Sequence, residues 1–197
     1  MFSIQDLLGS QQGQDAVNTI SQQVGVDPAT ASSAIQAALP MLINGLATNA
    51  STPEGAQSLD NALANDHDGS LLDNLGGLGG MIFGGEASRQ ADAGGILGHI
   101  LGGSQGQVAQ TVSEKTGLGA GQVAQILMML APIVMAYLGK QKKEQGLDAD
   151  ALSGALAEQQ QQAREGGFLN SMLDRDGDGS MMDDIASMAF GYLSKKS

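Results

Sequence analysis

The apolar positions of the chain show no period-two alternation rich in Val, Ile or Tyr, so strands are not expected. What the pattern offers instead is long runs of helix-forming residues, each opened by a capping signal. Asp27-Pro28 places an N-cap before a proline at the first helical position, and Ala29 to Ala50 continues in good helix formers. Ser51-Thr52-Pro53-Glu54 fits a capping box and opens a further helix toward Leu63, and Asp148 does the same before Ala149 to Gln162. Pro40 and Pro132 fall inside apolar helical runs. An internal proline removes a backbone hydrogen bond and collides one turn back, so each predicts a kink or two abutting helices.

The most apolar stretch, Ile126 to Leu138, spans thirteen residues where a bilayer crossing needs roughly twenty. Gln122 and Gln125 precede it and Lys140, Lys142 and Lys143 follow it, which predicts a buried core helix and no stable membrane insertion.

The same pattern occurs twice. Val24-Gly25-Val26 through Pro40 to Leu46 corresponds to Thr116-Gly117-Leu118 through Pro132 to Leu138 at a constant offset of 92. Leu7 to Gln14 resembles Ile100 to Gln107 at an offset of 93, and Asp66 to Asp73 resembles Asp176 to Asp183 at an offset of 110. The expected fold is therefore all-α: a first helical repeat over 1–74, a Gly-rich connector over 75–103 and a second helical repeat over 104–197. The connector contains LGGLGGMIFGG and GGILGHILGG, and reads either as a linker or as a packed glycine seam. Gly98 and Gly102, four apart, would share one helical face and admit a neighbouring helix. Neither glycine run carries a nucleotide-binding pattern.

Composition narrows the function classes. Only 15% of residues are charged and 3% aromatic, and there is no Trp, which disfavours sites built on aromatic stacking. The net charge is −12, and Met1 to Ser88 holds nine acids without one Lys or Arg. That half cannot neutralise phosphates, so nucleic acid is not an expected partner, whereas cations and basic proteins are. The absence of Cys excludes disulfides and thiolate chemistry. Met1 to Asp6 has neither a basic nor an apolar leader region, and a cytoplasmic location is expected.

One segment carries recognisable chemistry. Asp174-Arg175-Asp176-Gly177-Asp178-Gly179-Ser180 has the spacing that turns alternate carboxylates toward one hard cation, with a glycine at the sharp turn and the Ser180 carbonyl next. Three acids so close repel one another unless a cation joins them. The expected ligands are Asp174, Asp176, Asp178, Ser180 and Asp183, for Ca²⁺ with Mg²⁺ also open. Asp184 is a weaker candidate, as are Asp66, Asp68 and Asp73 of the first copy, where Ala64 replaces the first acid. The competing reading is a capped helix start, Ser180 as N-cap and Asp183 bonding back. For the first copy capping is the favoured reading, and His67 is expected to be a solvated turn residue. His99, in an apolar and glycine-flanked stretch, is expected to be packed or partly exposed.

The acidic loop resembles the start of an EF-hand calcium loop, which implies cation binding. It departs at the twelfth position, where Ile185 stands in place of a bidentate Glu; Asp183 would have to close the sphere. Over most of the chain the LP-x-L segment (Leu39, Pro40, Leu42), the GGILGHILGG run and the closing DRDGDGSMMDDI are similar to the YidB-like family of bacterial domains of unknown function. That resemblance implies a small all-helical fold and no established activity. The functional expectation is a non-enzymatic calcium-binding interaction or scaffold protein. Its alternatives are a self-assembling, homo-oligomeric structural protein and an acidic binding module for a basic protein partner.

Overall fold

The caps at Asp27 and Asp148 start their helices where expected, while the expected capping box at Ser51 gives way to a cap at Thr52, one residue on, with Ser51 donating to the Thr48 carbonyl. In the computed structural model, residue 7 and residues 9–67, 69–83 and 92–165 are described. Helix α1 (Gln11–Val24) begins at Ser10, whose hydroxyl accepts from the Gly13 amide at 3.0 Å. It stops at Gly25, which adopts a left-handed φ of 73° that a side chain would resist, and both Gly25 and Val26 donate to the Ser21 carbonyl. Helix α2 (Pro28–Asn49) is capped by Asp27, which accepts from the Thr30 amide at 2.9 Å. Helix α3 (Pro53–Asn65) is capped by Thr52. A 3₁₀ segment, Ser70–Gly77, broken at Asn74, leads into the short α4 (Leu78–Phe83). Then come α5 (Ala93–Leu101), α6 (Gln105–Thr116), α7 (Ala120–Gln145) and α8 (Ala149–Glu165). Among the described residues there is no strand, so the protein is all-α.

Neither proline breaks its helix. α2 runs through Pro40 and α7 through Pro132, each twelve residues after the helix start. The local cost of an internal proline, about 3 kcal/mol, is overcome by burial along both helices: Leu39, Leu42 and Ile43 flank Pro40, and Ala131, Ile133 and Val134 flank Pro132, all buried.

Helices from both halves of the chain contribute to one hydrophobic core, and the contacts group Met1–Gln159 as one compact unit. The second unit, Gln160–Ser197, is described as far as Glu165. α7 is buried on every side from Met129 to Gly139, as a helix apolar all round must be. It is long and apolar enough to cross a bilayer by length and composition, and 72% of its apolar window is buried within the fold. α2, α3 and α5 pack against it.

The described parts of the glycine-rich connector contribute to this core. Within it, α5 is capped by Asp92, which accepts from the Gly95 amide at 3.0 Å, and it buries Leu97, Ile100 and Leu101. The close approach is not made at Gly98 or Gly102: nothing beyond Gln105 lies within 4 Å of a Cβ built on Gly98, and nothing at all lies near one on Gly102. It is made at Gly45 on α2, where a Cβ would lie 2.5 Å from the Ile100 carbonyl oxygen. Asn49 secures the same crossing, its amide donating to the carbonyls of His99 and Ile100 at 2.5 and 3.3 Å.

Candidate functional site

The seat of α3 on α7 shapes the site. Gly139 of α7 faces the chain leaving α3, and a Cβ there would fall 1.6 Å from the carbonyl oxygen of His67. Only a residue without a side chain lets the two backbones meet so closely. Asp60 and Lys142 hold the same junction with an ion pair at 3.0 Å. With α3 pressed on α7 here and α5 pressed on α2 at Gly45, an open cleft of about 610 Å³ remains between α2, α3, α5 and α7. That is within the usual range for ligand sites.

The floor of the cleft is apolar, formed by Leu46, Leu59, Ala62, Ile96, Ile100 and Met135. Its polar groups are Asn49, Glu54, Ser58, Asp66, Asp92 and both histidines of the chain, His67 and His99. The lining contains three carboxylates and no Lys or Arg, so its field favours cations. It also contains no aromatic ring other than the two imidazoles.

His67 is not the solvated turn residue that its neighbours suggested. It is 5% exposed, because docking at Gly139 draws the end of α3 under α7. Burial pushes its pKa below the ordinary 6.5, and the negative charge of Asp66 offsets this in part. The imidazole is therefore neutral at pH 7, and its Nδ1 has no hydrogen-bond partner among the described residues. A buried polar atom left so costs free energy unless something else satisfies it. His99, on the opposite wall, is exposed.

Ser58 carries the hydroxyl of the cleft, and it donates to the Glu54 carbonyl of its own helix at 2.8 Å.

Of the residues singled out in the sequence for a cation, Asp66 caps the end of α3 and lines the cleft, and Asp73 sits in the first turn of the 3₁₀ segment. Asp68, together with Asp174, Asp176, Asp178, Ser180, Asp183 and Asp184, lies outside the described residues. Among the described residues no three His, Asp or Glu side chains gather in a way that would hold a metal ion. Glu54, Asp92 and the convergence of the two histidines are additions that the sequence reading missed. A signal for them existed: Gly55, Ser58, Leu59, Ala62 and Asp66 recur at three- and four-residue spacing along α3, and Asp92, Gly95, Ile96 and His99 along α5. What the sequence does not contain is which two stripes face each other.

Residues 6–141 match the family model described as "Bacterial protein of unknown function (DUF937)". No curated protein and no solved structure matches the chain.

Proposed function

This chain belongs to the DUF937 family of bacterial proteins of unknown function, and we propose that it is a non-enzymatic binding protein whose cleft takes a basic side chain from a partner protein. One observation carries the reading: Glu54, Asp66 and Asp92 all line a cleft with an apolar floor and no Lys or Arg among the lining residues. Such a lining suits a charged head on an aliphatic stem, since the stem covers Leu59 and Ile96 while the head stays among carboxylates. Binding is favoured over catalysis because the Ser58 hydroxyl is engaged with the Glu54 carbonyl of its own helix. The LP-x-L segment, the GGILGHILGG run and DRDGDGSMMDDI support a YidB-like assignment within this family.

The test is calorimetry on the full chain with a terminally blocked Ala-Leu-Lys-Leu-Ala peptide. We expect saturable binding that weakens as salt is raised and weakens at least about tenfold in Glu54→Gln/Asp92→Asn. Both changes preserve shape, and Asn still caps α5. Binding of a norleucine-for-lysine control as tightly as the lysine peptide would overturn the reading.

A second reading rests on a separate observation, the D-x-D-x-D-G spacing of Asp174, Asp176 and Asp178. We propose that this loop binds Ca²⁺, with Ser180 and Asp183 completing the donor set and Mg²⁺ a weaker competitor. Terbium luminescence on wild type and Asp176→Ala tests it: sensitised emission displaced by calcium and lost in the variant supports the site, and equal emission from both removes it.

A further inference from the structure

Resting on the reading of the cleft as a site for a basic side chain, we propose that the partner's segment carries two basic side chains with an apolar one between them, and that Glu54 and Asp66, at opposite ends of α3, each take one.

Glu54, Ser58, Ala62 and Asp66 follow one another at four-residue spacing, the row that shares one face of a helix, and all four line the cleft. α3 runs from Pro53 to Asn65 with Asp66 as its C-cap, so at about 1.5 Å of rise per residue Glu54 and Asp66 stand about 18 Å apart along the helix axis. That is more than twice the distance over which salt screens exposed charges, about 8 Å at physiological ionic strength. One ammonium therefore cannot pair with both. Between the two acids the row is small, Ser58 and Ala62, and Leu59 and Ile96 add apolar surface beside it. A ligand with one charged head leaves one end of the row unmatched, whereas two heads on either side of an apolar side chain match all of it. The third lining carboxylate, Asp92, is engaged at the start of α5, where it accepts from the Gly95 amide at 3.0 Å. No Lys or Arg lines the cleft to compete for either end, and Lys142, on the helix against which α3 packs, is held by Asp60. In an extended segment, side chains four residues apart lie on one face about 13 Å from each other, and the stems of two lysines cover the remaining distance. The residue midway between them shares that face and meets the apolar floor.

The experiment compares terminally blocked peptides by calorimetry against the full chain at one ionic strength. They are Ala-Lys-Ala-Leu-Ala-Lys-Ala, the same peptide with norleucine in place of either lysine, and Ala-Lys-Lys-Leu-Ala-Ala-Ala, whose equal charge sits on adjacent residues and so on opposite faces. We expect the spaced pair to bind wild type at least about tenfold more tightly than the single-lysine peptides and than the adjacent pair, because the second head binds from a segment already tethered by the first. In Glu54→Gln and in Asp66→Asn, each of which keeps the shape and removes one charge, that advantage should fall below about threefold. Equal affinity of the spaced and adjacent pairs for wild type overturns the inference, as does an advantage that survives both substitutions. Saturable, salt-sensitive binding of the single-lysine peptides then leaves the cleft reading standing. If no peptide binds wild type, the cleft reading itself fails, and the inference with it. The wild-type comparison holds even where a substitution prevents folding.

Discussion

Helices α2 and α7 both run through an internal proline twelve residues from their starts, Pro40 and Pro132, yet they occupy different environments. Along α2 the buried positions are Ala31, Ala34, Ile35, Ala38, Leu39, Leu42, Ile43, Leu46 and Ala47. Their counterparts on α7, Val123, Ile126, Leu127, Leu130, Ala131, Val134, Met135, Leu138 and Gly139, are buried too. α7 then buries five more, Met129, Pro132, Ile133, Ala136 and Tyr137, where α2 has Ala37, Pro40, Met41, Asn44 and Gly45 less buried or exposed. One face is common to both; the second face belongs to α7 alone. Two helices interrupted by proline at the same distance from their starts thus take different places. The helix that is apolar all round becomes the centre, and the helix with one polar side becomes a wall against which a cleft can open.

The comparison can be broken most severely by exchanging residues at its clearest difference. Ala136→Asn puts an amide without partners into the centre of the core and should cost about 3 kcal/mol or more in urea unfolding. Asn44→Ala at the equivalent position of α2 should change stability by about 0.5 kcal/mol at most. Equal costs would mean that the two helices are not distinguished by their second face.

The two glycine contacts come next. Gly139→Ala sets a methyl against the His67 carbonyl, closer than any real contact, and should cost about 2–3 kcal/mol while reducing affinity in the cleft. Gly45→Ala, at 2.5 Å from the Ile100 carbonyl, should cost about 1–2 kcal/mol. Thermal unfolding of both variants with peptide titration checks the order; Gly139→Ala as stable as wild type would show that α3 is not seated as described. A smaller effect is expected from Thr52→Ala, which removes the N-cap of α3, about 1 kcal/mol by the same measurement.

The smallest effect is in the pH dependence. Because burial lowers the pKa of His67 in the folded protein, the unfolded chain takes up this proton at higher pH than the folded one. The stability that this group permits is therefore full above about pH 6.5, the ordinary value, and is lost as pH falls below it toward the depressed folded value. Urea unfolding at several pH values should show stability falling on acidification from 6.5, with a shallower slope in His67→Asn. A slope unchanged in the variant would place the acid sensitivity elsewhere.

Much of this fold could be read along the chain. The caps at Asp27 and Asp148, the helix start near Pro53, the burial along most of Ile126 to Leu138 and the absence of strands among the described residues follow from local chemistry. The prolines did not split their helices as one reading expected, because the cost of losing one helical hydrogen bond is a local quantity and the burial that outweighs it is not. The cleft misled more. Gly45 and Gly139 look like ordinary small residues until their partners, Ile100 and His67, are known. His67 reads as solvated because it follows Asn65 and Asp66, and it is buried by a contact with a helix more than seventy residues away. Acids spaced closely along the chain, as at Asp174 to Asp178, announce themselves; acids that separate elements bring to the lining of one cleft, as with Glu54, Asp66 and Asp92, do not.

The cleft is the central claim, and amide NMR of the full chain titrated with the Ala-Leu-Lys-Leu-Ala peptide tests it most directly. The account predicts shifts concentrated at Gly55, Ala62, Asp66 and His67 on one wall and at Gly95, Ile96 and His99 on the other, saturating together. Shifts that saturate elsewhere, with these residues unmoved, would contradict it.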